Sequence, residues 1–117
     1  MESDSPPKQS ARRRIAIDNP EFGFGNIESW ANIIRSYRER HPEHQVILLY
    51  EGEPVHGTTY LFKLGKAVKR DAFELIVSAP DQNFKDLPKL FRLLADGAGP
   101  DYQRFLVREL HKVLHLF

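Results

Sequence analysis

The sequence predicts an α+β fold: a two-layer sandwich with helices on one face of a mostly antiparallel four-stranded sheet, in the order β-α-β-β-β-α-α. Two periodicities and one spacing predict it. Apolar residues recur at helical intervals within residues 27–40, 87–94 and 102–117, and alternate with period two within 12–18, 44–50, 58–65 and 72–79. The last three alternating runs are separated by short turns, as hairpins are and parallel crossovers are not.

Residues 1–11 are polar, with Pro6 and Pro7 adjacent, and are expected to form a disordered tail ahead of a single α+β domain at 12–117. In the first strand Ile15 and Ile17 share a face, opposite Arg14, Ala16 and Asp18. After the interruption NPEFGFG, Ile27, Trp30, Ile34 and Tyr37 recur at turn spacing, with Ala31 and Ile33 widening the stripe. Asn26 is placed as the N-cap of this helix, Glu28 suits the positive end of its dipole, and Arg35, Arg38 and Arg40 suit the other end. Pro42 closes it.

In the second strand Val46, Leu48 and Tyr50 oppose Ile47 and Leu49, a doubly apolar pattern that suits an interior position. Tyr60, Phe62 and Leu64 oppose Leu61 and Lys63 in the third, and Phe73, Leu75 and Val77 oppose Glu74, Ile76 and Ser78 in the fourth. Leu87, Leu90, Phe91 and Leu94 predict the next helix, capped by Asp86, with Pro88 in its first turn and Gly97 just past its end. Pro100 breaks the pattern and Asp101 can cap a last helix bearing Tyr102, Leu106, Leu110, Val113 and Phe117 on one stripe.

Composition narrows the function classes. A chain of 117 residues with a 41% hydrophobic fraction can bury a core without metal or disulfide support. A net charge of +1 argues against a polyanion binder held by bulk charge. The absence of cysteine excludes disulfides, thiolate nucleophiles and cysteine-ligated metals. No apolar run has the length of a membrane span, and the first residues lack the hydrophobic core of a secretory signal, so a cytoplasmic location is expected. No motif calls for a cofactor.

Four constellations carry potential chemistry. Gly23-Phe24-Gly25 ahead of a helix resembles part of a phosphate-binding turn, but Glu28 stands where a third glycine belongs and would repel a phosphate. The stretch reads instead as a turn with a helix cap, flanked by Phe22 and Phe24 as a staple. On the last helix Arg104, Arg108, His111 and His115 form a stripe, with Lys112 beside it, and Lys63, Lys66, Lys69 and Arg70 cluster in a hairpin. Together they read as an anion-binding face or as an ordinary solvated one. Glu51, Glu53 and His56 cluster about a turn, with His44 at the other end of the strand that leads to it, a set that suits a metal or acid–base work as well as plain turn chemistry. The serines, Ser78 among them, lie in no nucleophile elbow.

Three functions remain open. The first is a non-catalytic binding or regulatory module acting through protein contacts, as a homodimer, because Ile47, Leu49, Leu61 and Ile76 form a second apolar strand face behind that of Leu48, Phe62, Leu75 and Val77. The second is a nucleic-acid or phosphate-ligand binder using the basic stripe. The third is a small metal- or acid/base-dependent enzyme using Glu51, Glu53 and His56.

Overall fold

Pairing along a single long strand organises the sheet. The computed structural model describes residues 8–17, 21–55, 72–107 and 114–117. Its strands are β1 (Lys8–Gln9), β2 (Arg13–Ala16), β3 (Gln45–Tyr50), β4 (Glu53–Pro54) and β5 (Ala72–Ala79), and every pair is antiparallel. β5 is central: β3 flanks one edge, β1 and β2 share the other, and β4 lies outside β3. Between β1 and β2 the Ser10 hydroxyl substitutes for a ladder group, accepting the Val77 N–H at 2.9 Å. Lys8 and Gln9, given to the tail on composition, therefore sit in the sheet opposite Ala79 and Ser78. Polar side chains do not stop a backbone from pairing when an edge is open.

The register sorts side chains by face. Ile15 stands opposite Phe73, Leu48 opposite Leu75, and Val46 opposite Val77, so these residues share one side of the sheet. Helices α1 (Phe24–Arg40) and α2 (Leu87–Ala98) cover that side, as the α+β reading predicts. Ile27, Trp30, Ile33 and Tyr37 of α1 and Leu90 and Leu94 of α2 complete a core with Ile15, Phe73, Leu75 and Val77. Trp30 is wedged edge-on between Phe22 and Phe73, with ring centroids 5.4 and 4.9 Å away. Such contacts add about 1 kcal/mol each beyond the area buried.

The opposite side of the sheet corrects one expectation. Leu49 and Ile76 are only 5% and 7% exposed within a single chain, and Ile47 is half-buried. These residues do not form the bare apolar face from which a covering partner was inferred. Leu61 and Phe62, with the rest of the expected third strand, lie outside the described residues.

The start of α1 answers the question posed by its glycines. The N-cap is Gly23, three residues before the expected Asn26. Asn26 instead accepts the Gly23 N–H through its side-chain oxygen at 3.0 Å. A Cβ on Gly25 would come within 2.4 Å of the Tyr102 ring, so the second glycine serves close packing. Phe22 packs on Trp30, while Phe24 is 47% exposed. α2 begins at its expected cap, Asp86, but runs past Gly97 to Ala98, with Gly99 as its C-cap. A Cβ on Gly97 would lie 2.7 Å from Ser29 Oγ, which is why glycine stands inside this helix.

The expected last α-helix is a 3-10 helix, Pro100–Phe105, followed by extended backbone at Leu106 (φ −90°, ψ 139°). Asn32 Nδ2 donates to the Phe105 carbonyl at 2.9 Å, taking an acceptor that a continuing helix would need. Residues 114–117 are not helical either. No helix among the described residues is long and apolar enough to cross a membrane.

Candidate functional site

Two buried histidines lie at the C-terminal end of α1. His41 is the C-cap, its N–H bonded to the Tyr37 carbonyl at 2.9 Å, and Pro42 then prevents continuation. The turn that follows returns His44 beneath the same helix end, with its N–H on the His41 carbonyl. The two imidazoles stack, centroids 4.5 Å apart and planes 20° apart. A helix C-terminus, with its unpaired carbonyls, is where a cationic or proton-donating group is favoured.

Each imidazole meets a carboxylate from the β5–α2 connection. His41 Nε2 lies 2.7 Å from Asp86 Oδ2, and His44 Nε2 lies 2.8 Å from Asp81 Oδ1. On the other side of His44, Nδ1 is 2.7 Å from the Tyr37 hydroxyl. A carboxylate can only accept, so in the neutral imidazole of His44 the proton sits on Nε2 and the Tyr37 hydroxyl donates to Nδ1. Burial, reinforced by the charges of Asp86 and Asp81, pushes the Tyr37 phenol up to about 12, so it keeps the proton it donates.

Both carboxyls are held below the usual range. For Asp81 the main cause is the Asn83 N–H, 3.1 Å from Oδ1, assisted by His44; for Asp86 it is the bond to His41. Asp81 is half exposed, whereas His41 and His44 are 7% and 1% exposed in their side chains. The cluster is thus a proton-bearing chain running from a buried phenol to a surface carboxylate. Each histidine faces its own carboxylate. Among the described residues no group of three or more histidine, aspartate or glutamate side chains converges to hold a metal.

Residues 115–117 lie over this cluster. Leu116 donates its backbone N–H to Ser36 Oγ at 2.7 Å, and the Phe117 ring meets Tyr37 edge-on at 5.2 Å. Lys89 Nζ stands 5.4 Å from the centre of the Phe117 ring. A second buried polar group lies at the other end of α1. Asn26 Nδ2 donates to the carbonyls of Gly97 and Gly99, Ser29 Oγ to that of Gly97, and Trp30 Nε1 to that of Leu94. The Gly97 and Gly99 carbonyls lie at and just past the C-terminus of α2, where helix geometry leaves carbonyls without helical partners.

The residues singled out in the sequence are dispersed. Arg104 is bonded to Asp96 at 2.6 Å and lies against its neighbour Phe105, at the rim of a cleft of about 390 Å³. His115 is exposed, 3.7 Å from Glu39. Arg104 and His115 do not share a helical face, because the backbone leaves helical geometry at Leu106. Arg108, His111 and Lys112 lie outside the described residues, as do Lys63, Lys66, Lys69, Arg70 and His56. Glu51 and Glu53 are exposed at the β3–β4 hairpin, where Glu51 (φ 53°) and Gly52 (φ 81°) form a two-residue turn with positive φ at both positions. Sequence reasoning missed Tyr37, His41, Asp81 and Asp86 as a group. The available signal was two histidines flanking Pro42, one turn after a tyrosine on the apolar stripe.

Fold and site define an α+β domain whose two buried histidines are each bonded to a carboxylate of the same chain. The domain belongs to the family described as the uncharacterised Treponema protein C-terminal domain, whose model matches residues 7–104. It is similar to an uncharacterized protein of Treponema pallidum (strain Nichols), with 36% identity over 115 residues, 98% of this chain and 33% of that protein. The chain therefore spans about a third of that relative's length. No solved structure matches it.

Proposed function

We propose that this domain is a non-catalytic binding or regulatory module that acts through protein contacts. One observation carries the reading: both ring nitrogens of His44 and Nε2 of His41 are committed to partners within the chain, so the buried acid–base groups serve architecture. Membership of a family of C-terminal domains, and the match to one third of a longer protein, support a unit that works beside other parts of a chain or assembly. We expect self-association to be one form of this contact. Light scattering of the purified chain at micromolar to millimolar concentration tests it, the expected result being a mass that rises toward two chains. A one-chain mass throughout removes the homodimer and leaves a different protein as the partner. Turnover by the purified domain that His44→Gln abolishes in a still-folded protein would overturn the non-catalytic reading.

A further inference from the structure

On one side the described sheet ends at β1 and β2, and the ladder shows which backbone groups β5 leaves unused there. Val77 exchanges two bonds with Ser10, its carbonyl accepting the Ser10 N–H and its N–H donating to Ser10 Oγ, both at 2.9 Å. The main-chain groups of Val77 therefore point toward β1 and β2. In an antiparallel ladder that direction alternates, so Leu75 and Phe73 point the same way and their partners, Arg13 and Ile15, point back at them. Arg14 and Ala16 thus turn their N–H and C=O groups outward. Among the described residues no strand pairs with that outer edge.

The side chains along this edge are cationic on both faces of the sheet. From Ser10 to Arg13 the edge takes three steps against two on β5, a bulge that changes which way the side chains point. Arg13 shares the helix-covered face with Ile15, and its guanidinium lies 5.9 Å from the centre of the Phe91 ring on α2. Arg14 stands on the other face opposite Glu74, where Arg12 also reaches, Nη1 3.7 Å from Oε1. All three arginines are exposed, as is Lys8. Residues 8–14 hold four basic side chains and no acidic one.

We propose that the outer edge of β2 takes an extended acidic segment of a different protein as an added strand, with carboxylates at adjacent positions meeting Arg13 on one face and Arg12 and Arg14 on the other. The proposal rests on the protein-contact reading and names its surface. Outward N–H and C=O groups together match a peptide backbone, whereas phosphates only accept and leave the carbonyls unmet. A second copy of this edge would bring like charges together, and a neutral strand gains nothing from them. The charges that deter indiscriminate pairing select an acidic partner.

The test uses the full chain and the peptide acetyl-Val-Glu-Glu-Val-Glu-Val amide, followed by amide NMR at low salt. The expected result is binding that slows exchange of the Arg14 and Ala16 amides at least tenfold at saturation. Arg12→Glu/Arg14→Glu is expected to weaken binding at least tenfold. Ala16→Pro, which removes an outward N–H but no bond to β5 and no charge, is expected to weaken it at least fivefold. No binding at millimolar peptide overturns the proposal. Binding without added protection at Arg14 and Ala16, or unchanged by Ala16→Pro in a folded chain, is charge attraction without strand addition and overturns it equally. So does a short DNA duplex that binds as tightly as the peptide. Should Ala16→Pro not fold, protection at Arg14 and Ala16 in the parent decides alone. If the peptide fails while the parent still self-associates, only this edge is lost and the protein-contact reading stands.

Discussion

Helix α1 buries polar side chains at both ends, and the two ends use them differently. At its start Asn26, Ser29 and Trp30 reach across to α2 and bond carbonyls of its last two turns. Every group there is neutral, and each bond joins a side chain to backbone. At its end Tyr37, His41 and His44 bond other side chains, two of them carboxylates, and the chain of contacts reaches the surface at Asp81. One end fastens two helices at any pH. The other responds to protons and lies under a cover of a few residues. Buried polarity is therefore not by itself a functional sign.

The comparison can be broken from the N-terminal end first. Trp30→Ala, which empties a fully buried site and removes the indole bond to the Leu94 carbonyl, is expected to cost about 3–5 kcal/mol in urea unfolding. Asn26→Ala removes the partner of the Gly23 N–H and of two α2 carbonyls, with an expected loss of about 2–3 kcal/mol. That loss should be the same at pH 4 and pH 8; a loss that shrinks or grows with pH would erase the contrast between the ends.

The C-terminal end should behave in the opposite way. Asp81 and Asp86 have depressed carboxyls, so they contribute stability above their unfolded value near 4, and the contribution is lost as pH falls through the lower folded values. The parent should therefore lose melting temperature more steeply below about pH 4 than Asp81→Asn/Asp86→Asn does. Parallel curves would show that the two His–Asp bonds carry no linkage. The smallest effect belongs to the cover: Phe117→Ala should cost about 1 kcal/mol of global stability, the scale of one aromatic pair.

Much of the fold was legible because its signals are local. The spacing of Ile27, Trp30, Ile34 and Tyr37 identifies α1, the alternation in 72–79 identifies β5, and Asp86-Leu87-Pro88 marks the start of α2. The N-cap was misplaced because Asn26 does perform capping chemistry, but from inside the helix. Among the described residues, the last helix departs from its expected form for a related reason. Tyr102 and Leu106 have helical spacing, yet Pro100 starts a 3-10 turn and Asn32 draws off the Phe105 carbonyl. The His–Asp cluster was illegible because its partners lie 37 and 45 residues apart and meet only through sheet topology. No local period records such a meeting.

Amide hydrogen exchange resolved by residue tests the contrast between the two ends most directly. The Leu116 amide, bonded to Ser36, should exchange through a local opening whose rate is independent of added denaturant, while the amides of Trp30 and Ile33 exchange only with global unfolding. A single denaturant-dependent free energy shared by all three would contradict the account, since the cover would then be as permanent as the core.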